Sequence, residues 1–182
     1  TFCSIDFGYR QPAVGWFQTY MIEGVWHINM IDEILHEHNI KTDELVEKIK
    51  AKPYNVRKYY GDPAGHQAQG QSGLGDIEIF RRHGIQVHSV RDKASRSIAS
   101  GISHVRGFME NAQGERFFHL DKKCTNMAID LENYRYPEAK EGKDLKPEPI
   151  KDGKHDHGTD MLRYFFVNRF PIKNRDIRMV KR

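Results

Sequence analysis

A mixed β-sheet flanked by helices, of the α/β or α+β class, is the fold this sequence predicts, on three observations. The first 33 residues hold three β-rich runs at short spacing. From there the pattern alternates between helical and strand periods, and a strongly apolar helix closes the chain near residue 156. With 182 residues and 20 aromatics spread along it, the chain has enough material for one packed domain, although 30% of its residues are charged.

Residues 2–5 form a short apolar run, 13–17 follow a turn at Gly8 to Pro12, and 25–31 alternate apolar with polar side chains, which predicts an antiparallel meander. Thr42 reads as an N-cap, with Asp43 and Glu44 in the positive first turn and Leu45, Val46 and Ile49 on one face. Residues 56–60 read as a strand that stops at Gly61-Asp62-Pro63, because proline cannot donate to a ladder and disfavours helix at the residue before it. The Gly- and Gln-rich stretch 65–75 reads as a mobile loop. A short helix follows over Ile77, Ile79 and Phe80, ending at Gly84, and then a strand over 85–90. Residues 95–110 carry Ile98, Ile102, Val105 and Phe108 or Met109 at helical spacing. A helix over 121–135 is predicted with Asp121 as N-cap and Cys124, Met127, Ala128, Leu131 and Tyr134 inward. Residues 137–155, with five lysines and five acids, read as a solvated loop or extended hairpin.

Several function classes are excluded at this stage. No apolar run approaches the roughly 20 residues that span a bilayer. Cys3 and Cys124 lack zinc-ligand spacing and read as free thiols in a reducing compartment. The paired histidines 36/38 and 155/157 diverge on a helix at i, i+2 and make a poor metal site. Net charge is only +4, yet residues 81–106 and 168–182 each carry a net +5 on an otherwise acidic body, which suits a polyanionic partner.

The chemistry lies in three aspartates. Asp6 ends the first strand beside Gly8, Asp62 ends the strand at 56–60, and Asp160 sits one turn into the last helix on the face of Asp156 and Tyr164. If the two strands are adjacent and parallel, Asp6 and Asp62 share one sheet end. Clustered carboxylates repel, and a divalent cation relieves that cost; oxygen ligands without cysteine favour Mg²⁺ or Mn²⁺ over zinc. Each aspartate alone also has a bland reading: a turn residue for Asp6 and Asp62, an N-cap for Asp156, an ion pair with Arg163 or Lys154 for Asp160.

The ordered set of strand-Asp6-Phe7-Gly8, then Tyr60-Gly61-Asp62-Pro63-Ala64, then Asp156-His157-Gly158-Thr159-Asp160-Met161-Leu162-Arg163-Tyr164 resembles the C-terminal nuclease domain of the large terminase subunit of tailed double-stranded DNA phages. That family's last motif reads roughly His-x-x-Asp-Ala-x-Arg-Tyr. Met161 stands here in place of the usual small alanine, a change of packing and not of chemistry. The resemblance covers nearly the whole chain, including the stretch 93–98.

It implies a ribonuclease H-like mixed sheet of about five strands with helices on both faces. Residues 1–170 would form a single nuclease domain, and 171–182 a basic, mobile tail. It implies that Asp6, Asp62 and Asp160 are the catalytic metal ligands for two Mg²⁺ or Mn²⁺ ions, with Asp6 bridging and Asp156 and His157 auxiliary. Two such ions would activate water and stabilise the departing 3′ oxygen, leaving 3′-hydroxyl and 5′-phosphate ends. Lys93, Arg96 and Arg106, with Ser95 and Ser97 at a helix start, are the expected phosphate contacts on double-stranded DNA. Cutting with little sequence specificity is expected, since no base-reading element is visible. The resemblance also implies an N-terminal packaging ATPase in the same polypeptide, a portal and a small terminase subunit as partners, and action in the host cell cytoplasm. No Gly-x-x-x-x-Gly-Lys-Ser/Thr loop occurs in these 182 residues, so the motor is expected to lie outside them.

Three rivals stand beside this reading. A Holliday-junction resolvase or transposase core would share the acidic triad. A catalytically silent DNA-binding module would keep only the basic segments. The actin-like nucleotide-binding fold also ends its first strand in Asp-x-Gly, but needs duplicated domains.

Overall fold

The structure, a computed structural model, describes residues 1–8, 10–62, 75–89, 97–138 and 148–172. Among these, six strands form one mixed sheet. In chain order, strands and helices run β1 (Phe2–Asp6), β2 (Ala13–Ile22), β3 (Val25–Ile34), α1 (Thr42–Lys50), β4 (Lys58–Gly61), α2 (Asp76–Arg82) and β5 (Val87–His88). They continue with α3 (Ile98–Met109), β6 (Phe118–Leu120), α4 (Thr125–Asn133) and α5 (Asp156–Arg169). The strand order is β5-β4-β1-β2-β3-β6.

The predicted meander is present: β1 pairs antiparallel with β2, and β2 with β3. Both hairpin strands are longer than the apolar runs suggested. The ladder continues through Gln18 and Thr19 to a two-residue turn at Glu23-Gly24, whose φ angles of 49° and 80° match the twist of a hairpin. β1 and β4 pair in parallel, with Ile5 opposite Gly61, which meets the condition set for Asp6 and Asp62.

The sheet has six strands rather than about five. Residues 118–120, a run too short to show a period, pair with β3 as an edge strand. The strand expected over 85–90 is confined to Val87–His88. Lys41, not Thr42, occupies the cap of α1, and the Thr42 hydroxyl instead donates to Asp76 Oδ1 at 2.6 Å, tying α1 to α2. Asp121 does not cap α4, which begins four residues later after Cys124.

Two cores lie on opposite faces of the sheet, as period-two strands require. Cys3, Ile5, Val14 and Trp16 pack with Leu45, Val46 and Ile49 of α1 and Ile77 and Phe80 of α2. On the other face Phe17, Met30 and Tyr60 pack with Val105 of α3, Met127 of α4 and Met161, Leu162, Phe165 and Phe166 of α5. Helix α5 is buried on every side from Gly158 to Val167, so it is a core helix lodged between sheet and outer helices. Met161 is fully buried. It fits because Gly15 lies opposite, where a β-carbon would come within 2.8 Å of its sulfur.

Candidate metal centre

Alternation along the strands decides which way the two strand aspartates face. Ser4 donates to the carbonyl of Met161 at 2.9 Å, so Ser4, and Asp6 two residues on, face α5. Tyr60 also packs in the α5-side core, which sets Asp62 on the same face as Asp6. Helix α5 then brings Asp160 and His157 over the carboxyl ends of the two strands. Of the predicted site residues, Asp6, Asp62, Asp160 and His157 therefore meet at one sheet end.

Asp6 is only 7% exposed. Burial pushes its carboxyl up to about 6, and the charges of Asp160 and Asp62 push in the same direction against the opposing hydrogen bond from His157. His157 Nδ1 donates to Asp6 Oδ2 at 2.9 Å, and that bond raises the histidine above its ordinary value. The Tyr164 hydroxyl donates to Asp62 Oδ2 at 2.7 Å. The Asp160 Oδ1 atom accepts from Arg163 Nε at 3.2 Å and from a second Arg163 guanidinium nitrogen at 2.9 Å, while Oδ2 lies 3.4 Å from Lys151 Nζ. The Asp160–Arg163 pair is buried, and the lysine beside Asp160 is Lys151 rather than Lys154.

Each carboxylate thus has its own protein donor. Among the described residues no three histidine, cysteine or acidic groups are drawn together tightly enough to share an ion as they stand. The donor chemistry nevertheless fits one. Burial first, and then the charges of Asp160 and Asp62, raise the affinity of Asp6 for positive charge, and oxygen donors of this kind suit a hard divalent cation. Asp156 is the first residue of α5, is 6% exposed, and has a buried Oδ1 without a hydrogen-bond partner among the described residues.

Of the expected phosphate contacts, Arg106 lies exposed on α3 with its guanidinium 5.8 Å over the Tyr136 ring. Ser97 caps α3 by accepting from the Ser100 amide at 3.3 Å. Lys93, Ser95 and Arg96 lie outside the described residues, as do most of the loop at 65–75 and of the basic tail.

Sequence reasoning missed Asp130. It is fully buried on α4 and bonded through Oδ1 to His36 Nε2 at 2.6 Å. Its place three residues after Met127 and four before Tyr134, on the inward stripe, was the available signal. Lys151 carried no signal, because only the path of the chain brings it to Asp160.

Mixed strand order, parallel β1–β4 pairing and a carboxylate-bearing helix over the strand ends define a ribonuclease H-like fold. Known structures narrow this to the fold of large terminase nuclease domains. The P22 large terminase nuclease domain matches with a TM-score of 0.67 at 17% identity, over 92% of this chain and 80% of its own. The nuclease domain of the large terminase g2p from bacteriophage SPP1, determined with bound Mn, matches with 0.60 at 17% identity, over 93% and 87%. The large terminase of the thermophilic bacteriophage D6E matches with 0.61 at 21% identity over 92% of this chain, which spans 39% of that longer protein. No family model and no curated protein matches the sequence.

Proposed function

We propose that this domain is a metal-dependent endonuclease that cuts double-stranded DNA, with little regard to sequence, during viral genome packaging. One observation carries the reading. A buried carboxylate, Asp6, is pushed up to about 6 by burial and by two further carboxylates, at the end of two adjacent parallel strands. Such an arrangement is costly without a cation and suited to one.

Asp6, Asp62 and Asp160 would hold two Mg²⁺ or Mn²⁺ ions, with Asp156 and His157 auxiliary. Bound there, the ions would offset the charge of the phosphodiester, make water a competent nucleophile and stabilise the departing 3′ oxygen. The protein's part is positioning. Arg163 holds Asp160 by Oδ1 and turns Oδ2 away from the guanidinium. Tyr164 fixes Asp62 by Oδ2. His157 holds a proton at Nδ1 against Asp6 Oδ2. Arg106, with Lys93 and Arg96, would steady the DNA backbone. The Mn held by the SPP1 domain supports the choice of ion, and the ATP-γ-S complex of the D6E large terminase supports a packaging ATPase as the partner domain of the same polypeptide. A portal and a small terminase subunit complete the proposed partners. No helix among the described residues is long and apolar enough to cross a membrane.

The test is plasmid degradation with Mn²⁺ by wild type and Asp160→Asn. Loss of cutting in the variant, with retained DNA binding, is the expected result; undiminished cutting removes Asp160 from the ligand set. A silent DNA-binding module would show no Mn²⁺-dependent cutting at all. A strong preference for four-way junctions over linear duplex would instead favour the resolvase reading. Arg106→Ala should weaken binding for all sequences and lower the salt slope by about one unit.

A further inference from the structure

Asp160 meets two cations of different character. Arg163 has a side chain only 6% exposed, grips Oδ1 with two nitrogens, and is buried against Gly101. Lys151 lies at 3.4 Å from Oδ2 with its side chain 59% exposed. A buried pair of the first kind is permanent, since separating it strands a charge; an exposed pair of the second kind is weak and exchangeable.

The path of the chain holds Lys151 there. The Ile150 amide donates to the Arg135 carbonyl at 2.9 Å. Four residues later, buried Gln11, from the loop that follows Asp6, donates through Nε2 to the Lys154 carbonyl at 2.9 Å. Residues 150–154 are thus strapped at both ends beside Asp160. Lys151 lies between the ties, beside the Asp160 oxygen that Arg163 leaves open.

We propose that Lys151 is a substrate-binding residue of this site: its ammonium rests on Asp160 Oδ2 while the carboxylates lack ions, and moves to a non-bridging oxygen of the DNA phosphodiester when ions take its place. This rests on the nuclease reading above. The physical case is exchange of like for like. Lys151 and a divalent ion compete for one carboxylate oxygen, and a phosphate arriving with the ion supplies the displaced ammonium with a new anion. A flexible four-carbon stem makes that short swing available to lysine, whereas buried Arg163 has no such freedom.

Exchange predicts effects of opposite sign, which a merely structural lysine would not produce. Calorimetric titration of Mn²⁺ into Lys151→Ala should show binding tighter than wild type by about three- to tenfold, because a competing positive charge is gone. The same variant should show KM for a short blunt duplex raised by roughly tenfold, because a phosphate contact is gone. Lys151→Arg should restore KM, and Lys154→Ala, which removes an equal charge next door, should change neither. Mn²⁺ affinity unchanged or weakened in Lys151→Ala, or an unchanged KM, overturns the inference while leaving the nuclease reading intact. Wild-type protein that neither binds Mn²⁺ nor cuts DNA overturns both.

Discussion

The Tyr164 hydroxyl donates to Asp62 Oδ2 at 2.7 Å, joining the middle of the last helix to the end of β4 across 102 residues of sequence. Tyr164 is 8% exposed, and burial together with the negative charge of Asp6 and Asp160 drives its phenol far above its ordinary value, so it acts only as a donor. The Arg163-Tyr164 pair is therefore a holder of carboxylates: Arg163 sets Asp160 and Tyr164 sets Asp62. Tyr164→Phe removes one hydrogen bond to a charged acceptor and leaves the ring packing intact. Stability should fall by about 1–2 kcal/mol in thermal unfolding without metal. If Asp62 is a ligand as proposed, the deficit should shrink with saturating Mn²⁺, because an ion would then hold Asp62; a deficit that stays the same counts against Asp62 as a ligand.

Metal-free stability should depend on pH through the Asp6–His157 pair. Asp6 has a folded value of about 6 against 3.8 unfolded, so between those limits the native state keeps a proton that the unfolded chain has lost. Stability from this group therefore falls as pH rises from about 4 to about 6. His157, raised by Asp6, acts with the same sign: its contribution is full below the unfolded value and is lost as pH rises through the folded one. On the proposed reading Mn²⁺ would compete with these protons, so the gain in Tm on adding Mn²⁺ should be larger at pH 7.5 than at pH 5. Asp32 and Asp152 are held below the ordinary carboxylate range and act in the opposite direction at lower pH, so the contrast should be read against Asp6→Asn. An equal gain in Tm at both pH values would sink this account.

Gly101 on α3 makes room for Arg163. A β-carbon there would lie 2.7 Å from Arg163 Cδ and 2.8 Å from Cγ, in mid-chain where the side chain cannot swing aside. Alanine in a helix interior normally gains about 1 kcal/mol over glycine. Gly101→Ala should forfeit that gain and, by displacing Arg163 from Asp160, reduce Mn²⁺-dependent cutting by roughly tenfold or more. Normal cutting by a folded variant would show that Arg163 does not orient Asp160.

Gly158 in the first turn of α5 faces Asp130. An added β-carbon would collide with Asp130 Oδ2, and that carboxylate is fully buried and tied to His36. Gly158→Ala should destabilise the domain by roughly 2 kcal/mol or more, since neither helix can move without opening the core. If chemical denaturation finds the variant as stable as wild type, the close packing of α4 on α5 is not as described.

The strand aspartates were legible in the sequence because local rules bear on them. An apolar run must end, Pro63 forbids continuation, and the carboxylate stands at the strand's edge. The same locality explains what was misplaced. The outer hairpin runs through polar Gln18 and Thr19 to exposed Met21 and Ile22, since ladder hydrogen bonds do not require burial. β6 has three residues, too few for any period, and is recruited only by the free edge of β3. Asp130 was passed over because an acid on an apolar stripe breaks the pattern being sought, although α4 buries it.

What the sequence by itself determined was most of the elements and the chemical identity of the groups: two aspartates at strand ends, a third one turn into the last helix, and a histidine and an arginine one turn either side of that third one. What only the tertiary structure decided was their company. The parallel pairing of β1 with β4, the lodging of α5 against the sheet and the strap at 150–154 choose Tyr164 for Asp62, His157 for Asp6, and Arg163 with Lys151 for Asp160. The reason is physical: periodicity and capping act within a few residues, while a charge is shifted by whatever lies within a few ångströms, and only packing brings distant parts of the chain that close.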